Sequence, residues 1–307
     1  MAKRQQNFTQ VRANKSRSPG HQDPLRCRNP GFAASLRPVP AHRIPFWLTL
    51  APRVPNPSGR NLYDLPLQWS PVSLLSVKLS ILMPVYNERD TLAAAVKEVL
   101  NVAFPCDVEL VVVDDGSTDG TRELYRSLGD DPRISVHMHE RNRGKGAAIR
   151  TAAAAASGDY VIMCDADLEY SPAEIPSLLA PVIAGDAEVV YGTRTFGSHN
   201  AYSYAYVLGN KGVTTFANVL FNCYISDLET CFKLIPTALY RDLGIRETGF
   251  GMEAEVTGKL LRRGIRPYEV PISYKARTRA AGKKLTWRDG VEALWILFRE
   301  RFTPRRG

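Results

Sequence analysis

Residues 108–120 have the sequence VELVVVDDGSTDG, and this stretch decides the fold. Its run of β-branched residues leaves no polar face, which is typical of a parallel strand that is buried on both sides. The run ends in Asp114 and Asp115, and the Gly, Ser and Asp residues that follow predict a turn. A buried strand that ends in an acidic turn predicts an α/β protein with a polar edge to its sheet.

Strand and helix signals alternate on both sides of this stretch. Strands are predicted in KLSILMPVY, ISVHMH, DYVIMCDAD and AEVVYGTR, and helices in TLAAAVKEVL, NRGKGAAIRTAAAAASG and AEIPSLLAPVIAG. A further helix follows residues 116–120, with Ser117 or Thr118 as its expected cap. This order predicts a Rossmann-like, mostly parallel sheet with helices on both faces.

Residues 1–77 differ in composition from the rest of the chain. The first 78 residues hold 12 Lys and Arg against Asp23 and Asp64, a net charge of +10, and 11 of the 21 prolines. This composition predicts a disordered arm before one folded domain at 78–302. Basic charge without a recognition motif indicates no specific nucleic-acid partner. A second interpretation places the native start near Val77, since no Met lies between Met1 and Met83, and mass spectrometry of the native N-terminus tests it.

Two further features of the composition concern location. No apolar run approaches the roughly 18 residues that a membrane span needs, so we expect a soluble or peripheral protein. The cysteines show no paired metal spacing, which favours buried free thiols in a reducing cytoplasm. The five cysteines are Cys27, Cys106, Cys164, Cys223 and Cys231.

Polar residues follow the carboxyl ends of four predicted strands, at 84–88, 114–119, 165–169 and 192–194. The ligand crevice of an open α/β sheet lies at this edge. Along an extended segment Asp165 and Asp167 point to the same side, and Glu169 continues the row if the extension persists. Carboxylates in this pattern suit Mg²⁺ or Mn²⁺ completed by substrate phosphates. The alternative is a helix-capping turn before SPAEI.

Several other motifs allow more than one interpretation. Asp115 either accepts a hydrogen bond from a nucleobase or belongs to an ordinary turn. The segment NRGKG lacks the spacing of a P-loop, and its glycines serve tight packing as the alternative to ligand binding. His137, His139 and His199 have no ligand spacing, which favours structural or solvated roles. No Gly-x-Ser-x-Gly motif indicates a serine nucleophile.

Taken in order, these motifs resemble those of the inverting family-2 glycosyltransferases with a GT-A fold, and especially the dolichyl- and polyprenyl-phosphate sugar synthases. The similarity covers residues 79–302. The segments that carry it are ILMPVYNE, VVVDDGSTDGT, NRGKGAAIRTA, DADLEYSP, GTR, SDLETCFK and GFGMEAEVTGKLLRRG.

The resemblance implies a nucleotide-sugar site at the first two strand ends. Residues that match Pro84, Tyr86, Glu88 and Asp115 contact the nucleoside in that family, and Lys145 of NRGKG joins this set.

By the same resemblance, Asp165 and Asp167 hold the metal on the diphosphate, and Asp167 is the catalytic acid cluster's central member. Glu169 stands where some relatives have a Gln that also reaches the metal. Arg277 and Lys283 or its neighbour Lys284 belong to a mobile loop that closes over the diphosphate.

The remaining implied residues concern the acceptor. Arg194 of GTR matches an arginine suited to the acceptor phosphate, with a surface salt bridge as the alternative. Asp227 of SDLETCFK opens a predicted strand and lies near the sugar, and Glu253 touches the sugar or the acceptor helix. Both acids have helix capping as the alternative. A phosphate acceptor needs no general base, whereas an alcohol acceptor would need one, with Asp227 the first candidate.

The implied activity is metal-dependent inverting transfer of a hexose from GDP-mannose or a UDP-sugar to polyprenyl or dolichyl phosphate. We expect this at the cytoplasmic face of a membrane, alone or with a membrane partner protein. The terminal segment LTWRDGVEALWILFRERF either lies at the membrane interface or packs on the sheet. A soluble or glycan acceptor is the alternative activity. A non-catalytic sugar-nucleotide-binding module is the alternative of another class, and intact Asp165 and Asp167 count against it.

Overall fold

A single seven-stranded sheet organises the computed structural model, which describes residues 77–127, 131–201, 203–277 and 286–303. The predicted arm up to residue 76 and Lys283 with its neighbours lie outside the described residues. The strands are β1 Lys78–Val85, β2 Asp107–Asp114, β3 Ile134–Met138, β4 Tyr160–Met163, β5 Val190–Thr193, β6 Lys233–Pro236 and β7 Tyr268–Pro271.

The sheet is mixed, with the order β3-β2-β1-β4-β6-β5-β7. Only β6 runs antiparallel to its neighbours, and the other pairs are parallel. Because β6 reverses direction twice over, β5 and β4 point the same way, and four strand ends meet at one edge. The mostly parallel sheet is therefore as predicted, while β7 was missed.

Helices pack on both faces of the sheet, α3 against β1 and β2 and α4 against β5 and β7. The central strands are buried on both sides, which explains their continuous apolar sequence. The helices are α1 Leu92–Leu100, α2 Thr121–Leu124, α3 Lys145–Ala155, α4 Ile175–Ala184, α5 Tyr204–Phe221, α6 Thr237–Asp242, α7 Met252–Arg262 and α8 Trp287–Phe302.

The predicted cap of α2 is wrong. The residue before the helix is Gly120, with a φ of 93°, and no side chain caps the helix. Ser117 accepts a hydrogen bond from the Asn87 amide at 3.0 Å, and the Thr118 amide donates to the Asn87 side chain at 2.8 Å. Residues 117 and 118 thus connect the loops after β1 and β2 instead of starting a helix.

The terminal helix α8 packs on α5 and α7, not on the sheet as one alternative had it. Ala293, Ile296 and Leu297 of α8 join a small second core with residues of α5 and α7. A separate set of apolar side chains on α8 stays exposed.

We expect Gly146→Ala to destabilise the fold. A Cβ at this position of α3 would lie 2.4 Å from the Glu247 carbonyl oxygen, and the Gly146 amide already donates to the Thr248 carbonyl at 2.7 Å. Relieving such a backbone clash costs about 1–3 kcal/mol of unfolding free energy. Gly290→Ala in α8 is the control, because nothing lies within 4 Å and a helical Ala stabilises. Urea denaturation should give opposite signs, and equal midpoints would contradict the close packing.

Candidate active site at the strand ends

A cleft of about 1630 Å³ lies at the carboxyl ends of β1, β2, β4 and β5. It opens where the topology brings these four strand ends to one edge. Every predicted site residue among those the structure describes lines this cleft: Pro84, Tyr86, Glu88, Asp115, Lys145, Asp165, Asp167, Glu169, Arg194, Asp227 and Arg277.

Asp165, just beyond β4, is paired with the first residue of α3. Its Oδ2 accepts a hydrogen bond from Lys145 Nζ at 2.8 Å, and the same ammonium lies 2.9 Å from Glu253 Oε1. Burial would lower the pKa of Lys145, but the charges of Asp165, Cys231 and Glu253 raise it well above its usual value. Oδ1 of Asp165 is buried without a hydrogen-bond partner among the described residues. The lysine is therefore a fixed cation, and one acidic oxygen beside it stays available.

Asp167 lies in a crowd of like charges. Its Oδ2 lies 2.9 Å from Arg277 Nη2, and its Oδ1 accepts from the Glu169 amide at 3.0 Å. Burial, followed by the charges of Asp165 and Glu169, raises the pKa of Asp167 to about 7. A pair of buried carboxylates with an unpaired oxygen is a donor set that suits a hard divalent cation. No cluster of three His, Cys, Asp or Glu side chains converges within the described ranges, so substrate oxygens would have to complete the coordination.

Glu169 does not continue the row of Asp165 and Asp167, contrary to the expectation that it is a third metal ligand. Leu168 has a φ of 61°, so the chain turns sharply and the alternation of an extended segment is lost. Glu169 instead accepts hydrogen bonds from the Tyr274 hydroxyl at 2.6 Å and the Arg277 amide at 2.8 Å. Its carboxylate anchors the segment that carries Arg277.

Arg277 connects two of the strand-end clusters. Its guanidinium contacts Asp167 after β4 and Glu88 after β1, the latter at 3.3 Å. Burial would lower its pKa, and the Asp167 and Glu88 carboxylates raise it above the usual value. A permanently charged guanidinium between carboxylates is held in place without being fully neutralised.

Arg194 forms a bidentate ion pair with Asp227. Nε and Nη2 of Arg194 each lie 2.7 Å from an Asp227 oxygen, and the Arg194 amide and Asn210 Nδ2 donate to the same carboxylate. Asp227 is 0% exposed. Burial would raise the pKa of Asp227, but Arg194 and the hydrogen bonds hold it below the usual range. A carboxylate with four donors and a lowered pKa is a poor general base, so the geometry favours a positioning role for Asp227.

Asp115 is buried and organises the loop before α3. Its Oδ1 lies 2.6 Å from His139 Nδ1 and accepts from the Arg143 amide, while Oδ2 accepts from the Gly144 amide at 2.7 Å. His139 also contacts Thr151, which is the structural role expected for it. Gly144 and Gly146 press against the backbone of residues 247–248, so the tight-packing interpretation of NRGKG holds.

Sequence reasoning missed three residues of the cleft: Asn210, Glu229 and Tyr274. Asn210 lies inside α5, in a segment without a motif. Glu229 lies within SDLETCFK, so its proximity to Asp227 was the available signal. Tyr274 holds Glu169 and lies 5.0 Å from the Arg194 guanidinium, a contact between residues 80 positions apart.

The profile of glycosyl transferase family 2 matches residues 80–244. The glycosyltransferase AglJ of Haloferax volcanii is 27% identical over 221 residues, which cover 72% of this chain and 69% of that protein. The dolichol-phosphate mannosyltransferase of Pyrococcus furiosus is 27% identical, with 67% and 59% covered. The hexosyltransferase Agl6 of H. volcanii, of low-salt glycan biosynthesis, is 29% identical, with 65% and 48% covered. The chain thus spans about half to two thirds of the length of these relatives.

Solved structures share the fold. Glucosyl-3-phosphoglycerate synthase from Mycobacterium tuberculosis, crystallised with UDP, superposes with a TM-score of 0.58 at 20% identity, over 78% of this chain and 87% of that one. The same enzyme has been crystallised with Mn²⁺, UDP and glucosyl-3-phosphoglycerate. The profile match over more than half of the chain, together with this common architecture, shows that the protein belongs to glycosyl transferase family 2 and has the GT-A fold.

Proposed function

We propose that this glycosyltransferase moves a hexose from a nucleotide diphosphate sugar to polyprenyl phosphate, with inversion at the anomeric carbon. The observation that carries the proposal is the composition of the cleft. Acidic residues and fixed cations form one part of it, and apolar residues of α5 and α8, including Phe216, Val291 and Leu294, line another. A donor with a charged diphosphate and an acceptor with a lipid chain require these two environments.

Asp165 and Asp167 would hold Mg²⁺ or Mn²⁺ on the donor diphosphate. The unpaired Oδ1 of Asp165 and the like-charge crowding at Asp167 support this assignment. A bound divalent cation supplies charge stabilisation for the leaving diphosphate. Glucosyl-3-phosphoglycerate synthase, with the same fold, was crystallised with Mn²⁺ or Mg²⁺ and UDP.

The chain's own residues position the donor. We assign Pro84, Tyr86, Glu88 and Asp115 to the nucleoside, since they line the cleft at the ends of β1 and β2. Lys145 and Arg277 are charged at neutral pH and lie against the two aspartates, so both can exchange carboxylate oxygens for diphosphate oxygens. Lys283, close by in sequence to Arg277, is assigned to the same diphosphate.

Arg194 is assigned to the acceptor phosphate, with Asp227 as the residue that orients it. A phosphate monoester is largely ionised near pH 7, so it attacks without a general base. Asp227 accepts from four donors and is suited to holding a guanidinium, not to taking a proton. This engagement favours a phosphate acceptor over the soluble or glycan alcohol of the second candidate activity.

The exposed side of α8 suits a lipid surface. Five large apolar side chains recur there every three or four residues, and we call them the aromatic stripe: Trp287, Val291, Trp295, Phe298 and Phe302. Trp287 and Trp295 are 74% and 62% exposed, and the stripe is continuous with the cleft, since Trp287 and Val291 also line it. Arg288 and Arg301 flank the stripe with positive charge. No helix within the described ranges is long and apolar enough to cross a bilayer.

We expect the double variant Trp295→Ser, Phe298→Ser to bind lipid vesicles at least about 10-fold more weakly than wild type, because each large apolar side chain contributes roughly 1.5–3 kcal/mol when buried. Co-sedimentation with vesicles that contain phosphatidylglycerol measures the affinity. Met138→Ser on β3 is the control, since Met138 is exposed away from the cleft lining. Equal binding by the double variant would contradict membrane contact through the aromatic stripe.

The acceptor class is tested with the full chain, Mn²⁺, labelled sugar nucleotides and polyprenyl phosphate. Label that partitions into organic solvent supports the proposal. Transfer only to water-soluble acceptors would favour the second activity, and binding without turnover would favour a non-catalytic module.

A further inference from the structure

Two carboxylates at the floor of the cleft take no part in the assignments above. Glu253 is the second residue of α7 and only 5% exposed, and it lines the cleft. Its Oε1 lies 2.9 Å from Lys145 Nζ, whereas its Oε2 is buried and has no hydrogen-bond partner within the described part of the chain. A buried acceptor without a donor costs about 1–3 kcal/mol, which indicates that a ligand group satisfies it.

Glu229 lines the same cleft on the loop between α5 and β6. The loop is fixed from below by the fully buried Lys233, whose Nζ donates to the carbonyls of Leu228 at 2.7 Å and Thr230 at 2.5 Å. The residue that carries the carboxylate is therefore held from both sides. Burial, followed by the charge of Glu253, raises the pKa of Glu229 to about 7, so the two acids share one electrostatic environment.

The position of Glu253 relative to the diphosphate site follows from Lys145. A single ammonium contacts both Asp165 and Glu253, at 2.8 and 2.9 Å. A donor whose diphosphate lies at Asp165 and Asp167 therefore has its next group, the sugar, within reach of Glu253. We propose that Glu229 and Glu253 form a carboxylate pair that binds the hydroxyl groups of an uncharged hexose and excludes hexuronic acids from the donor site. This inference rests on the proposed function.

The chemistry of the pair defines the sugar class. Ionised carboxylates only accept hydrogen bonds, and sugar hydroxyls donate them. Lys145 and the amino end of α7 favour the ionised form of Glu253, since negative charge is stabilised there. A hexuronic acid would bring a third negative charge to a buried pair of acids, where Coulomb repulsion is weakly screened. A neutral hexose, in contrast, supplies the missing donor to Glu253 Oε2.

Calorimetry on the full chain with Mn²⁺ tests the pair. The titrants are UDP and GDP, UDP-glucose and GDP-mannose, and the uronate conjugate of the nucleotide that binds, UDP-glucuronate or GDP-mannuronate. We expect wild type to bind the neutral hexose conjugate about 10-fold more tightly than the bare nucleotide, and the uronate conjugate more weakly than the bare nucleotide. Glu253→Gln should lose most of the hexose advantage, keep the affinity for the bare nucleotide, and narrow the gap between neutral and uronate conjugates.

Glu229→Gln should shift the same two ratios in the same direction, so the test does not depend on one variant. Glu98→Gln, an exposed site on α1, is the matched control and should change neither ratio. Thermal melting verifies that each variant is folded. Wild-type ratios in both Glu253→Gln and Glu229→Gln would overturn the inference alone. Failure of wild type to bind either nucleotide would overturn the proposed function and this inference with it.

Discussion

Replacing Asp167 by Asn is expected to lower the rate of sugar transfer about 1000-fold or more while the protein stays folded. Asp167 is one of two carboxylates assigned to the divalent cation on the leaving diphosphate. Charge stabilisation of that kind contributes several kcal/mol to the transition state, and about 4 kcal/mol corresponds to three orders of magnitude in rate. The fold should tolerate the change, because Asn preserves the shape of the side chain and removes one charge from a crowded acidic cluster.

Initial rates at saturating Mn²⁺ measure this effect, with thermal unfolding as the check on folding. Asp186→Asn is the matched control, since Asp186 is exposed after α4 and outside the cleft lining. Full activity of Asp167→Asn would exclude Asp167 from the metal site.

The second large effect is on stability. We expect Asp227→Asn to lower the free energy of unfolding by about 3–5 kcal/mol, because it removes the charge that compensates a buried guanidinium. Arg194 makes two 2.7 Å contacts with Asp227, and these are the shortest ion-pair distances around the cleft. Urea denaturation of the single variant measures the loss.

A double variant separates the structural from the functional part of this pair. Replacing a buried ion pair by apolar residues of similar volume is often neutral, so Arg194→Met with Asp227→Leu should recover most of the lost stability. Transfer to polyprenyl phosphate should stay abolished, because the guanidinium that is assigned to the acceptor phosphate is gone. A stable double variant with wild-type transfer would show that Arg194 and Asp227 are only structural.

The central strands were predictable because their sequences are decided locally. β2 is a continuous β-branched run, and a strand buried on both faces needs little else. In contrast, β7 has four residues and ends in Pro271, so its period-two signal is too short to detect. The reversed direction of β6 has no local signature at all.

The candidate site was predictable in its strand-end acids and less so in its ion pairs. Asp165 and Asp167 follow a buried strand directly, so their proximity to the crevice follows from topology. The prediction for Glu169 was wrong because it assumed an extended chain, and the left-handed turn at Leu168 is not evident from residue type. The contacts of Arg277 with Glu88, and of Arg194 with Asp227, join residues 189 and 33 positions apart and depend on the folded sheet.

The most direct test of the account is the Mn²⁺ dependence of nucleotide binding. In calorimetric titrations of the full chain, we expect UDP or GDP to bind at least about 10-fold more tightly with Mn²⁺ than without divalent cations, since the metal offsets the repulsion between diphosphate and aspartates. Asp165→Asn should remove this dependence. Equal affinity with and without Mn²⁺ in wild type, or an unchanged Mn²⁺ effect in Asp165→Asn, would contradict the assignment of Asp165 and Asp167 to a metal-bound diphosphate.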